Sequence, residues 1–131
     1  MTTFDAIGIA STGLTVHRKW LDAVSDNIAN ANTVKSMDDT AFQARYVEVH
    51  EGAGVSGAYV KGAAFGSAAG RVTYDPDNPL ANEEGYVRMP DIDLGTQMAD
   101  LIMAQRGYQA NAAVVDRAKT AYEAALQIGK N

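Results

Sequence analysis

One run constrains this chain more than any other. Between Leu94 and Leu126, the positions Leu94, Met98, Leu101, Gln105, Tyr108, Ala112, Val115, Lys119, Tyr122 and Leu126 step alternately by four and three. That spacing is the heptad seam of a helix that packs along another helix. Only Gln105 and Lys119 in it are strongly polar, and Ile102, Ala104, Val114, Ala118, Ala121 and Ala125 widen the apolar stripe. No proline interrupts the run, and its Ala, Gln, Met, Arg and Lys favour helix. At 1.5 Å per residue the rod is roughly 50 Å long. A chain of 131 residues has little globule to lay such a rod against, so either a second helix covers the seam or the chain assembles.

The second helix is at the other end. Ile7, Ala10, Leu14, His17, Leu21, Val24, Ile28 and Ala31 step by three and four in the same way. Pairing the two seams brings the chain termini together. The predicted fold is mainly α: long N- and C-terminal helices paired as a coiled coil, with a small β-hairpin-rich insert between them. Residues 1–33 and 91–131 supply the helices and 34–90 the insert. The candidate coiled-coil and assembly residues are Ile7, Leu14, Leu21, Val24, Ile28, Met98, Leu101, Tyr108, Val115 and Tyr122. The same spacing also suits two amphipathic helices in an ordinary bundle.

Composition narrows the function classes. The net charge of −5 argues against nucleic acid as the main partner, because phosphate binding needs a basic surface. The absence of cysteine excludes disulfides, thiol catalysis and thiolate metal sites. No apolar run approaches the length of a membrane span. The start, Met1-Thr2-Thr3-Phe4-Asp5, lacks the basic end and apolar core of a secretory signal; composition alone points to the cytoplasm. Residues 32–92 hold five basic and nine acidic side chains, whereas 1–31 hold two and three, and 93–131 four of each. Nearly neutral helices can pack against copies of themselves, and an acidic insert stays solvated or meets a basic partner.

In chain order, Thr2 or Thr3 caps the first helix and Asp5 complements its dipole. Gly8 and Gly13 each cost a helix about 1 kcal/mol relative to alanine, so Met1–Gly13 is expected to fray in an isolated monomer. The helix exit, Ser25 to Thr33, carries Asn27, Asn30 and Asn32. Asparagine tolerates the left-handed conformation that ends helices, so these read as a C-cap whose amides bond stray carbonyls; a recognition turn is the functional alternative. Arg45 to Glu51 alternates as a strand, with Val47 and Val49 on one face and Tyr46, Glu48 and His50 on the other. Gly52 to Gly57 is a turn and Ala58-Tyr59-Val60 a return strand. Arg71–Tyr74 and Gly85–Met89 are two more strands around Asp75-Pro76-Asp77-Asn78-Pro79, a run dense in turn residues. Pro90 ends the last strand, and Asp91 or Asp93 caps the long helix.

Catalytic and ligand chemistry finds little purchase. His17, on the apolar seam, reads as a packed side chain or register device, and His50 lies on a polar strand face. Two histidines without a third ligand make no transition-metal site. Asp75, Asp77 and Asn78 offer oxygens, but the glycine and distal glutamate of a calcium loop are not at the required offsets. Ser11 and Ser25 have no positioned base, and Gly52-Ala53-Gly54 lacks the pattern of a phosphate loop. No cofactor is expected and no enzyme activity.

Three stretches carry a resemblance. The exit Ser25-Asp26-Asn27-Ile28-Ala29-Asn30-Ala31-Asn32-Thr33 resembles the asparagine-rich signature of bacterial flagellar rod, hook and hook-associated proteins. Tyr74 to Ala81, with Asn78 and Pro79, followed by Gly85 to Asp93, is similar to the segment before the last helix in proximal rod members of that family. Met98 to Asn111, with Tyr108, resembles the family's C-terminal helix. Asp26 departs from the small or amide residue common there, and residues 52–70 add little. The resemblance implies a structural subunit of the drive shaft joining motor to hook, in the basal body across the periplasmic space. It also implies export by the flagellar type III apparatus without a cleaved signal, and stacking with copies of itself and other rod proteins. Asp75, Asp77, Glu83 and Glu84 are then expected to form an inter-subunit loop facing unlike neighbours. A cytoplasmic coiled-coil adaptor or export chaperone is the competing function.

Overall fold

The computed structural model describes residues 2–130; Met1 and Asn131, which the predicted helical segments 1–33 and 91–131 include, lie outside the described residues. Helix α1 spans Thr3–Ala29. It begins in a reciprocal cap: the Thr2 hydroxyl accepts from the Asp5 amide at 3.2 Å, and the Asp5 carboxylate accepts from the Thr2 amide at 2.7 Å. Two donors that the first turn leaves without helical partners are thereby satisfied.

The helix ends differently from the expectation. Asn30 has φ −104° and ψ 5°, and no described residue other than glycine has a positive φ. The left-handed cap is replaced by side-chain chemistry. The Asn30 amide donates to the Asp26 carbonyl at 2.9 Å, and its oxygen accepts from the Thr33 hydroxyl at 3.2 Å. An asparagine that closes the last turn with its own amide has no need of the strained backbone. The expected bonding of stray carbonyls by asparagine amides is observed.

Beyond the exit, the chain makes two separate antiparallel hairpins. Strand β1 spans Arg45–Glu51 and β2 spans Ala58–Phe65. Their ladder pairs Arg45 with Phe65 and Glu51 with Ala58, and its register shifts between Glu48 and Val49, where Lys61 is the extra residue. The return strand is thus longer than the three residues expected, because the ladder continues past the bulge through Gly62, Ala63 and Ala64. The turn rests on Gly54 and Gly57, with φ of 62° and 93°, values that favour glycine. Val47 and Val49 both line a shallow cleft with Val16 and Trp20 of α1, so they share one face as the alternation requires.

Strand β3, Arg71–Tyr74, pairs with β4, Tyr86–Met89, in unbroken register from Arg71–Met89 to Tyr74–Tyr86. Lys35 and Arg88 exchange both backbone hydrogen bonds, at 2.8 and 2.9 Å, which ties the helix exit to β4. The Arg88 guanidinium bonds the Met37 and Ala69 carbonyls and so ties two loop segments to β4.

Helix α2 spans Leu94–Ile128, and Asp93 caps it by accepting from the Thr96 amide at 2.9 Å and from its hydroxyl. It packs antiparallel to α1: Phe4 meets Tyr122 edge-on at 5.1 Å, and Asn27 meets Gln97 at the other end. The core is thin and built mostly of small side chains. Ala10, Val16, Ala23, Val24, Ala31, Ala41, Ala44, Val87, Ile92 and Ala104 are its buried apolar residues. Such side chains bury little area each, so the fold leans on hydrogen-bonded ties between its elements.

Candidate assembly interface

Along α1 the seam positions are covered to different degrees. Ala10, Val24 and Ala31 are buried, and Ile7, Leu14, His17, Leu21 and Ile28 are half-buried. Along α2 the seam positions divide. Leu101 and Val115 are half-buried, whereas Met98, Tyr108 and Tyr122 are exposed, as are Leu94, Gln105, Lys119 and Leu126. The covered positions run instead through Gln97, Leu101, Ala104, Gly107, Asn111, Val115 and Ala118. Gln97, Ala104, Gly107, Asn111 and Ala118 each precede an expected seam position by one residue, whereas Leu101, Ala112 and Val115 lie on it. Close approach selects small residues and side-chain amides there, which a count of large apolar residues passes over.

The innermost polar group is Asn27, fully buried beside Gln97, which is 2% exposed. The Asn27 amide nitrogen donates to the Arg45 carbonyl at 2.9 Å and to Gln97 Oε1 at 3.0 Å. Its oxygen accepts from the Arg45 amide at 2.8 Å. One side chain thus grips the first residue of β1 from both sides and bonds the first turns of α2. An ion pair between Asp26 and the Arg45 guanidinium lies over this knot at the surface. The hairpin is lashed to α1 again at its turn, where the Thr12 hydroxyl accepts from the Ala58 amide at 3.1 Å and sits against Gly57.

The remaining sequence-marked residues fall at separate places. Asn30 closes α1, whereas Asn32 is exposed. Asn111 donates to the Gly107 carbonyl at 2.8 Å within α2. Asn78 organises the β3–β4 loop: it donates to Asp75 Oδ2 at 3.0 Å and accepts from the Leu80 amide at 3.1 Å, while Pro79 is exposed. Glycine at Gly85, φ 84°, and bonds between Asn82 and Tyr86 close the loop. Asp77, Glu83 and Glu84 point to solvent and Asp75 is half-buried. Among the described residues none of the four carboxylates joins an ion pair. Gln97, Arg45 and Thr12 were missed by sequence reasoning; no local pattern marks residues whose partners lie in another element.

Several large apolar side chains of α2 stay uncovered, with Ile102 48%, Met103 58% and Ile128 76% exposed, among exposed polar residues such as Arg106, Gln109 and Arg117. Its last turns run past the Phe4–Tyr122 contact, and every described residue from Lys119 onward is exposed. Exposed apolar surface on this scale marks a binding face. Elsewhere the chemistry is sparse. Among the described residues no three metal-ligating side chains converge, and His50 packs against Tyr59. Among the described residues no helix is long and apolar enough to cross a membrane.

Comparison with known proteins gives this interface a context. Residues 7–34 match the family described as flagella basal body rod protein, and residues 83–128 match the C-terminal family of flagellar basal body rod FlgEFG proteins. Along the whole chain, the flagellar basal-body rod protein FlgC of Aquifex aeolicus is 35% identical, with 99% of each chain covered. FlgC of Escherichia coli is 31% identical over 99% of this chain and all of its own. FlgC of Bacillus subtilis is 29% identical at the same coverage. Near-complete coverage at this identity shows that the chain belongs to the flagellar basal-body rod protein FlgC family.

Proposed function

We propose that the chain is a structural subunit of the flagellar basal-body rod, which transmits torque from motor to hook. The observation that carries this reading is the set of exposed apolar side chains on α2, Ile102, Met103 and Ile128 among them, on a helix whose last turns run past the start of α1. A subunit whose free surface fits another part of a neighbour makes a head-to-tail contact, and such contacts repeat into a helical assembly. In this reading Met98 and Tyr108 meet neighbouring subunits, while Tyr122 on Phe4, Leu101, Val115 and the α1 seam hold the subunit's own coiled-coil pair.

The division into helices 1–33 and 91–131 with an insert at 34–90 follows from the same logic: the pair stacks and the insert decorates it. The loop carrying Asp75, Asp77, Glu83 and Glu84 meets basic side chains of an unlike rod neighbour. Its order, set by Asn78, Asn82 and Gly85, and its unpaired carboxylates support that role. Export goes through the flagellar type III apparatus, and a thin core held by few buried side chains suits a chain that is exported unfolded.

Deletion followed by electron microscopy of the cell envelope separates the readings. Loss of a rod subunit leaves no hook or external filament, and restoring the chain restores both. A partly built external filament after deletion would instead identify a cytoplasmic adaptor or export chaperone.

A further inference from the structure

The crossing of α1 and α2 holds two glycines that act as notches. A Cβ at Gly13 would come within 2.7 Å of the Asn111 side-chain Cγ, and one at Gly107 within 3.0 Å of His17 Cε1, with nearer ring atoms closer still. Gly8, on the same helix as Gly13, has nothing within 4 Å of such a position. Glycine is a poor helix former, so its presence at two facing positions in long helices needs a reason, and the opposing side chains supply it.

The two contacts are reciprocal. His17 of α1 bonds through Nδ1 to the Gly13 carbonyl of its own helix at 2.7 Å and lies in the notch at Gly107 of α2. Asn111 of α2 donates to the Gly107 carbonyl of its own helix at 2.8 Å and lies in the notch at Gly13 of α1. Each glycine therefore serves twice, as carbonyl acceptor for its own key and as notch for the opposite one. A carbonyl only accepts, so the proton of the neutral imidazole sits on Nδ1.

We propose that His17–Gly107 and Asn111–Gly13 form a register lock that fixes the axial alignment of α1 on α2. The apolar seams alone do not do this, because heptads repeat and a slip of one repeat still pairs apolar residues. The keys do not survive such a slip. Moving α2 by one heptad either way places His17 against Asp100 or Val114 and Asn111 against Ala6 or Trp20. None of these is glycine, so both keys lose their space. In a rod subunit the lock stops α2 sliding along α1 under torsion. That consequence rests on the proposed function, whereas the lock itself is a property of one chain.

The test uses the absence of native cysteine. Phe4→Cys with Tyr122→Cys reports the native register, since the two rings are 5.1 Å apart. Phe4→Cys with Val115→Cys or Gly129→Cys reports a one-heptad slip. The full-length chain is equilibrated in a glutathione buffer, and the effective concentration of each thiol pair is measured. The native pair should exceed both slipped pairs at least tenfold. Gly107→Ala should lower the native pair at least several-fold although alanine is the better helix former, and adding His17→Ala should restore it. Gly13→Ala should behave likewise, with Asn111→Ala as its rescue. Three results would each overturn the lock: no preference for the native pair in the parent chain, an unaltered native pair in Gly107→Ala, or a loss that His17→Ala does not repair. Because the readout is made on one purified chain, it is independent of whether the chain enters a rod, which motility of the same variants reports separately.

Discussion

Asn27 and Gln97 are seventy residues apart in sequence and joined side chain to side chain at 3.0 Å, both out of reach of water. With Arg45 they form the only point where α1, β1 and α2 are hydrogen-bonded together among the described residues. Removing one partner of such a knot leaves the others buried and unsatisfied, which costs more than the bonds themselves contributed. Asn27→Ala strands the Arg45 amide and carbonyl and Gln97 Oε1, and should destabilise the fold by roughly 2–4 kcal/mol. Urea denaturation of the purified chain measures it. A loss under about 0.5 kcal/mol would mean that the knot is incidental.

The two glycines of α1 should part company. Gly8 faces open space, so Gly8→Ala should stabilise the helix by about 0.5–1 kcal/mol. The expected sign is read from thermal melts, with a rise in Tm for Gly8→Ala and none for Gly13→Ala. A fall in Tm for Gly8→Ala would place an unseen neighbour at that position.

Acid should attack the helix starts. The Asp5 carboxyl is held below the usual 3.8 first by the Thr2 amide and then by the Thr2 side chain. That of Asp93 is held below it by the Thr96 hydroxyl and then the Thr96 amide. A carboxyl with a lowered folded value contributes its stabilisation fully above 3.8 and loses it as pH falls through the lowered value. Helicity by circular dichroism should therefore hold at pH 5 and decline below the usual carboxylate value. Asp93→Asn keeps a capping side chain without a titrating group, and should remove the part of the decline that belongs to α2. An acid transition of identical size in that variant would contradict the assignment.

Reversing charge on the loop should weaken assembly and leave the chain folded. Glu83 and Glu84 are exposed at the centre of a turn closed by the Gly85 amide on the Asn82 carbonyl, outside both helices, so Glu83→Lys with Glu84→Lys should not alter helicity. Each rim ion pair is worth under about 1 kcal/mol, but repetition along a helical assembly multiplies the effect. Reduced incorporation into basal bodies with an unchanged circular dichroism spectrum is the expected outcome. Normal incorporation would show that this loop meets no basic partner.

Local signals were legible in the sequence. The Thr2–Asp5 cap, the Asp93 cap, strands Arg45–Glu51 and Arg71–Tyr74, and the continuous last helix all follow from residues close together in the chain. What sequence alone did not give depends on distant partners. The phase of the α2 seam is set by what α1 presents, so Gln97, Gly107 and Asn111 are covered although none is a large apolar residue. Asn27 read as a helix cap because its true partners, Arg45 and Gln97, lie in other elements. Gly13 read as a weakness because its use appears only with Asn111 in place.

The central claim is that this chain enters the rod as a subunit whose paired terminal helices form the packed wall. Leu101 is half-buried within that pair, and Leu101→Asp would bury a carboxylate without a partner at a cost of several kcal/mol. The most direct measurement is a cryo-electron microscopy map of basal bodies purified from cells carrying either the parent chain or Leu101→Asp. The account predicts parent-chain density in the rod with α1 and α2 antiparallel, the Ile102 face of α2 against a neighbouring subunit, and no rod density for the variant. A rod that incorporates Leu101→Asp normally, or a parent-chain map in which that face of α2 meets only solvent, would contradict it.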